Sequence, residues 1–269
     1  MDQIEQYEFD RLGYLVIKDM LTETETAALQ EAVDTLEEHA VRHLALPPRK
    51  QSIWGQNYHR NEEKGYHTNG GNGQGQTILI EDFFNSDPAF DFLINHPKTI
   101  DYIAKIVQGR IRINNSEIRL RYPSNASVTH MGGPIDHKYR YGFNGKGIDC
   151  MMVRMIYFPH AVTNEEGAFS VVPGTHKTNY NSPYGSNPDE EPAMIGLEVE
   201  AGDAILFTEN LRHGGLTNRS QKVRKTLHIG YGPGWMMSQN IVTMDEPQYI
   251  LPETLARYSD EQKKLFVLP

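Results

Sequence analysis

Two histidines on short β-patterned segments are the first candidates for chemistry in this chain. In residues 127–132, alternation places His130 and Gly132 on one face of a predicted strand. His213 begins a later predicted strand, beside two glycines that would let a ligand approach closely. Two histidines and a carboxylate form the facial triad of non-haem Fe(II) enzymes, which leaves other metal positions open. Because a single strand histidine is more often a packing or surface residue, the pair alone leaves both interpretations open.

An arginine that follows His213 after eleven residues suggests how an anionic ligand would be held. Alternation along 223–231 puts Arg224, Thr226 and His228 on one face of a predicted strand. A buried arginine needs an anionic partner, and its planar fork matches a carboxylate, with the Thr226 hydroxyl as a further donor. The partner is either a dicarboxylate ligand or a local Asp or Glu, and the strand pattern alone favours neither.

Eight short β-patterned segments must position these side chains. They are 111–122, 126–132, 150–158, 168–172, 196–200, 204–208, 211–216 and 223–231. Before them, Thr22 and Glu25 form the capping box of one predicted helix, and Pro97 begins another that runs to Val107 and stops at Gly109. This order predicts a mainly β fold with flanking α-helices, namely a double-stranded β-helix (jelly roll, cupin-like) with N-terminal helices.

The chain is interpreted as one jelly-roll domain over residues 1–269. Residues 1–109 would supply helical support and a lid loop, 110–235 the β core, and 236–269 a C-terminal extension. The lid or mobile loop is predicted at 46–77, which is long, polar and rich in Gly and Asn near its end. Residues 179–193 are predicted to be a surface excursion.

Charge and cysteine content exclude several classes of partner and site. A formal net charge of -9 and a pI near 5.7 argue against binding to nucleic acid or to an anionic membrane. The single cysteine, Cys150, excludes an intramolecular disulfide and a cysteine-based metal site, which fits a reducing, cytoplasmic setting. The sequence contains no leader-like or membrane-spanning apolar run. With nucleic acid and membranes disfavoured, the expected partner is a small-molecule substrate. The oligomeric state is left open.

Motifs along most of the chain resemble the phytanoyl-CoA dioxygenase family of Fe(II)/2-oxoglutarate oxygenases. The opening Phe9–Ile17 segment with the helix after Thr22, and the helix from Pro97 to Gly109, are similar to that family's beginning. The most specific stretch is 164–177, in which an Asn-Glu-Glu-Gly turn runs into Pro-Gly-Thr-His-Lys. A Gly-Asp turn at 202–203 then precedes the second histidine and the arginine in the family's order.

The resemblance implies roles for three residues and a set of cofactors. His130 would be the proximal and His213 the distal iron ligand, and Arg224 would bind the distal carboxylate of 2-oxoglutarate with Thr226 beside it. Fe(II), 2-oxoglutarate and O2 are the implied cofactors. By the same resemblance His176 belongs to a structural turn, and we expect His160 and His228 to pack or to support the ligands from behind.

The family's carboxylate ligand is missing from its usual place, because the chain contains no His-x-Asp or His-x-Glu. One hypothesis is that Gly132 leaves an iron position for chloride, as the His-x-Gly motif does in related halogenases. Another is that a displaced carboxylate, Asp136 or Glu209, completes a hydroxylase. For Asp136 the simplest expectation is a solvated turn, and for Glu209 a bond to backbone at its strand end. The third hypothesis is a jelly roll that has lost catalysis and only binds a ligand.

Overall fold

The computed structural model describes residues 1–52, 55–132, 139–236, 240 and 249–266, in which helices precede and follow the β core along the chain. Within these residues the α-helices are α1 Gln3–Leu12, α2 Glu23–Leu44, α3 Pro97–Ala104, α4 Pro252–Arg257 and α5 Asp260–Lys263, and 3-10 helices span Phe83–Asn85, Pro88–Leu93 and Thr175–Lys177. In this part of the chain, no helix combines the length and the apolar character that crossing a bilayer requires.

The described strands form a nine-stranded sheet, a four-stranded sheet and a two-stranded hairpin, all antiparallel where paired. They are β1 Tyr14–Ile17, β2 Lys50–Gln51, β3 Asn57–Arg60, β4 His67–Gly70, β5 Thr77–Glu81, β6 Ile111–Arg121, β7 Ser127–His130, β8 Tyr141–Phe143, β9 Ile148–Cys150, β10 Val153–Tyr157, β11 Phe169–Val172, β12 Ile195–Gly196, β13 Ala204–Thr208, β14 Arg212–Gly215 and β15 Arg224–Pro233. The large sheet has the order β1-β13-β10-β15-β6-β5-β4-β3-β2, and the small sheet β12-β11-β14-β7. The predicted mainly β jelly roll with N-terminal helices is confirmed.

The large sheet separates an apolar layer from the interior of the jelly roll. On β15, Leu227 and Ile229 are buried in one cluster with Leu29 and Leu36 of α2. Because side chains alternate along a strand, the residues between them point to the opposite face, which is the cavity face. The amphipathic α2 thus fixes which strand residues line the interior.

An apolar cluster fills one end of the space between the two sheets. Ile156 and Phe207 of the large sheet belong to this cluster together with Phe169 and Val171 of the small sheet. The cavity face beyond it carries charged residues of β6 and β15 instead, so the interior has a dry apolar end and a polar end.

The β7 strand breaks its alternation next to the first candidate histidine. His130 is the cross-strand partner of His213, but the register between β7 and β14 shifts toward Gly215. Val128 is consequently 63% exposed instead of sharing the inward face of His130.

Residues 46–77 differ from their prediction. In place of a lid or mobile loop they contain β2, β3 and β4, which extend the large sheet outward from β5. The prediction is wrong because these strands are short and polar, as in the sequence Asn57–Arg60, and lack the apolar alternation from which strands are inferred.

The predicted boundaries of the helices agree with the structure more closely than the prediction for residues 46–77 does. The capping box of Thr22 and Glu25 begins α2 as expected. A second capping box, formed by Asp2 and Glu5, begins α1, which ends at Leu12 with Gly13 as its C-cap. The helix from Pro97 ends at Ala104, slightly earlier than expected.

The predicted surface excursion at 179–193 is mostly exposed but is tied to the small sheet. Glu191 is buried and accepts hydrogen bonds from Arg212 Nε and Nη2 at 2.9 and 2.6 Å. This ion pair covers the outer side of β14 and lies apart from the cavity.

Gly13 provides a test of how the N-terminal helix is joined to the sheet. Gly13 has φ 85°, and a Cβ there would lie 2.5 Å from Nδ1 of His176, whereas Gly109 has φ 80° and open space around it. A left-handed alanine alone costs about 1–2 kcal/mol. We expect Gly13→Ala to lower the free energy of unfolding in urea by more than its matched control Gly109→Ala. Equal losses would mean that His176 moves aside without cost.

Candidate metal centre

His130 and His213 face each other across neighbouring strands of the small sheet. Their ring centroids are 4.2 Å apart. The Nδ1 atoms lie 3.0 Å from the Val128 carbonyl oxygen and 2.7 Å from the Leu211 carbonyl oxygen. Because a carbonyl only accepts, each Nδ1 must donate, which leaves Nε2 of each neutral ring free to bind a metal.

Glu209 completes a cluster of possible ligands with these two histidines. One ligand atom from each of His130, Glu209 and His213 lies within 4.8 Å of the others. Glu209 follows β13 and precedes His213 by four residues, so one β-turn region supplies both. The expectation that Glu209 bonds to backbone is wrong, because its side chain pairs with the Arg154 guanidinium.

Gly132, where the family's carboxylate is expected, has a backbone role beside this cluster. Its φ is 82°, in the left-handed region that favours glycine. Its N–H donates to the Glu209 carbonyl oxygen at 2.7 Å, so β7 is joined to the chain just before β14. Asp136, the other displaced carboxylate considered, lies outside the described residues.

Arg154 links Glu209 to a buried polar network. Its Nη1 donates to Oδ1 of Asn115 at 2.5 Å and to Oε1 of Glu117 at 3.1 Å. Glu117 also pairs with Arg119, whose Nη2 is 2.5 Å away. Charges buried in this way need partners, and in this network Arg119, Glu117, Arg154 and Glu209 alternate in sign.

Burial keeps both candidate metal-binding histidines neutral. It lowers the pKa of His130, and it lowers the pKa of His213 well below its ordinary value, with the neighbouring His130 adding to the effect. The His213 ring also packs against Phe207 and Phe169, with centroids at 4.8 and 5.6 Å. His213 is buried and His130 half-buried, and a lowered pKa favours the neutral imidazole that binds a metal.

The Arg224 guanidinium is buried close to the small sheet. Nη1 donates to the Gly167 carbonyl oxygen, and Nε has no hydrogen-bond partner. A Cβ at Gly215 would lie 3.1 Å from Nη1, so glycine there leaves room for the arginine. Among the described residues no carboxylate lies within ion-pair distance of Arg224, although a local Asp or Glu had been considered. Burial, with the Arg119 charge, lowers its pKa to about 9.

Two neighbours of Arg224 on β15 share its buried face. The Thr226 hydroxyl and Nε2 of His228 are 2.9 Å apart, and both residues are nearly inaccessible to water. Burial followed by the charge of Arg119 lowers the pKa of His228 well below its ordinary value. This face therefore presents one unneutralised guanidinium and neutral polar groups.

The remaining histidines considered from the sequence lie elsewhere. His176 is buried, with Nε2 3.1 Å from the Asp10 carbonyl oxygen and its ring against Tyr141. His160 is part-exposed near Asp34. Sequence reasoning missed the ion pairing of Arg154, although alternation of charged residues on β6 was a visible signal that a polar face exists there.

The donor set of the cluster fits a divalent iron. Two neutral imidazoles and one carboxylate are the ligands of the facial triad, which leaves positions for further ligands. The nearby unpaired guanidinium matches a carboxylate group of such a ligand.

Known proteins share this sequence pattern and this fold. The sequence profile described as Phytanoyl-CoA dioxygenase (PhyH) matches residues 9–226. A segment of 82 residues, 29% of this chain, is 40% identical to the dioxygenase olcK of Penicillium canescens, and it spans only 26% of that relative.

Solved structures with low identity have the same fold. HygX from Streptomyces hygroscopicus, crystallised with nickel and 2-oxoglutarate, superposes with a TM-score of 0.68 at 18% identity over 89% of each chain. SnoK, a non-haem alpha-ketoglutarate-dependent carbocyclase from nogalamycin biosynthesis, gives 0.61 at 17% identity over 96% of this chain and 91% of its own.

Replacing Glu209 tests whether it is a metal ligand. We expect Glu209→Gln to weaken Co(II) binding, measured by calorimetry, by roughly 100-fold or more. Replacing a residue that only hydrogen-bonds to a metal ligand already weakens metal binding by about 10- to 100-fold. Glu191→Gln is the matched control, since it breaks another buried Arg–Glu pair away from the cluster. Wild-type affinity in a folded Glu209→Gln protein would remove Glu209 from the ligand set.

Proposed function

Because the chain belongs to the phytanoyl-CoA dioxygenase family, we propose that it is an Fe(II)/2-oxoglutarate-dependent oxidoreductase that functionalises a C–H bond of a small molecule. The observation that carries the proposal is the cluster of His130, Glu209 and His213, in which the turn after β13 would supply the missing carboxylate. A jelly roll that had lost catalysis would have no reason to keep these three groups together, with Glu209 and His213 buried.

The position of Glu209 favours hydroxylation over halogenation. A halide requires a metal position that no protein carboxylate fills, and here a carboxylate lies beside both histidines. The positive φ of Gly132 gives a separate reason for glycine at that place. Chloride is therefore not part of the proposed cofactor set, which is Fe(II), 2-oxoglutarate and O2.

The residues of the site have distinct tasks in this proposal. Together, the iron, 2-oxoglutarate and O2 would supply the oxidising chemistry, yielding succinate, CO2 and hydroxylated product. His130, Glu209 and His213 hold the metal, and Arg224 with Thr226 binds the distal carboxylate of 2-oxoglutarate.

Arg154 acts as a positioning residue for Glu209. Its guanidinium binds one carboxylate oxygen of Glu209 and is itself fixed by Asn115 and Glu117. A carboxylate held in this way loses little conformational freedom when it binds a metal, because its rotamer is already set.

The substrate class is proposed from a structural relative. HygX has been crystallised with hygromycin B as well as 2-oxoglutarate, which supports a small organic substrate here.

Cys150 is buried and free, which supports the proposal of a reducing, cytoplasmic setting.

The proposed reaction can be tested without knowing the substrate. Anaerobic addition of Fe(II) and 2-oxoglutarate should give the weak visible charge-transfer band of the chelate, and His213→Ala should abolish it. Exposure to O2 should then release succinate slowly, above a metal-free control. No band together with tight Zn(II) binding would reject the oxygenase proposal, and chloride-dependent tightening of 2-oxoglutarate binding would favour halogenation instead.

A conservative change tests Arg224. Arg224→Lys keeps the charge but loses the two-pronged geometry, so we expect the dissociation constant for 2-oxoglutarate to rise about tenfold or more, or ~1.4 kcal/mol. The charge-transfer band measures this constant directly. An unchanged value would show that Arg224 has a structural task.

A further inference from the structure

A second buried arginine lies directly beside Arg224 on the cavity face. The cross-strand partner of Arg224 on β15 is Arg121 on β6, and the partner of Arg121 on β5 is Thr77. Partners in antiparallel strands project from the same face of the sheet. Thr77, Arg121 and Arg224 therefore form one row of hydrogen-bond donors.

Each member of this row has a buried polar atom without a partner. Nε of Arg121, Nε of Arg224 and the Thr77 hydroxyl make no hydrogen bond. Arg121 is 7% exposed, and its Nη1 donates to Oδ1 of Asn125 at 2.7 Å. Unpartnered donors in a buried place cost free energy unless a ligand satisfies them.

The two guanidiniums also lack a neutralising anion. In the described ranges, no carboxylate is within ion-pair distance of either, while Glu117 is occupied by Arg119 and Arg154. Burial, and then the charges of Arg224 and Arg119, lower the pKa of Arg121 well below its ordinary value. Like charges on adjacent strands are destabilising, so an anion is expected between them.

We propose that Arg121 and Arg224 together bind the distal carboxylate of 2-oxoglutarate, with the Thr77 hydroxyl as an additional donor. This inference rests on the proposed function and adds a residue to that site. Two guanidiniums around one carboxylate bind it more tightly than one does, and they reject a 2-oxo acid that lacks it, because both cations then stay unpaired. Arg121 is accordingly a specificity-determining residue.

The experiment compares two ligands in protein that cannot turn over. Ni(II)-loaded protein is titrated calorimetrically with 2-oxoglutarate and with 2-oxobutanoate, which has the same chain without the distal carboxylate. Arg121→Gln should raise the dissociation constant for 2-oxoglutarate by about tenfold or more, and should leave that for 2-oxobutanoate within about twofold of wild type. The ratio of the two constants reports the distal site alone.

Two matched variants separate anion binding from a structural task. Asn125→Ala removes the loop contact of Arg121 but keeps its guanidinium. Arg112→Gln removes another buried β6 arginine, whose Nη1 donates to the Met236 carbonyl oxygen instead. Both should bind 2-oxoglutarate like the wild type, since neither removes a donor from the row.

The outcomes decide between the possibilities. A wild-type constant in Arg121→Gln, or an equal loss in Asn125→Ala, overturns the proposal for Arg121. If Arg121→Gln does not fold, Arg121→Lys is tested instead. If Arg121 binds the distal carboxylate, this variant should also lower the ratio of the dissociation constants for 2-oxobutanoate and 2-oxoglutarate. If Arg121 has only a structural role, the ratio should stay as in the wild type. Failure of the wild-type protein to bind 2-oxoglutarate at all would instead reject the proposed function, and this inference with it.

Discussion

The buried ion pair of Arg154 and Glu209 is the interaction on which the rest of the site depends. Glu209 is almost inaccessible to water, and an unpaired carboxylate there would be costly. Arg154 removes that cost and turns the carboxylate toward the two histidines. Removing one partner of such a pair typically costs about 3–5 kcal/mol, so the pair constrains stability and ligand geometry together.

The requirement that buried charges have partners also applies at the end of the cavity that contains Arg121 and Arg224. Arg121 and Arg224 are buried without carboxylates in the described part of the chain, so the protein alone leaves positive charge in a dry place. A ligand that supplies the anion relieves this cost only in the folded state, and its binding therefore also stabilises the fold. The candidate metal end of the cavity is thus balanced by the protein's own residues, and in our proposal the distal end is balanced by the carboxylate of a bound ligand.

Strand alternation predicted the jelly roll and placed His130, His213 and Arg224 on strand faces, but only the resemblance to the phytanoyl-CoA dioxygenase family singled them out as candidate site residues. Glu209 was one of two displaced carboxylates considered from the sequence, but its pairing with Arg154 was not predictable, because Arg154 is 55 residues away in sequence and meets it only through strand pairing. The strands in 46–77 were missed because polar residues form them, and only pairing with β5 satisfies their backbone.

If Glu209 supplies the carboxylate in place of residue 132, a bound metal would join different segments of the chain. With an acid at 132, β7 would supply two ligands and β14 one. Here the segment from β13 to β14 carries Glu209 and His213, and β7 contributes His130 alone. The hydrogen bond from Gly132 N–H to the Glu209 carbonyl is then the backbone link that keeps His130 in reach. Because a side chain at a positive φ would strain this link, glycine at 132 is a structural condition for the proposed use of Glu209 as the displaced ligand.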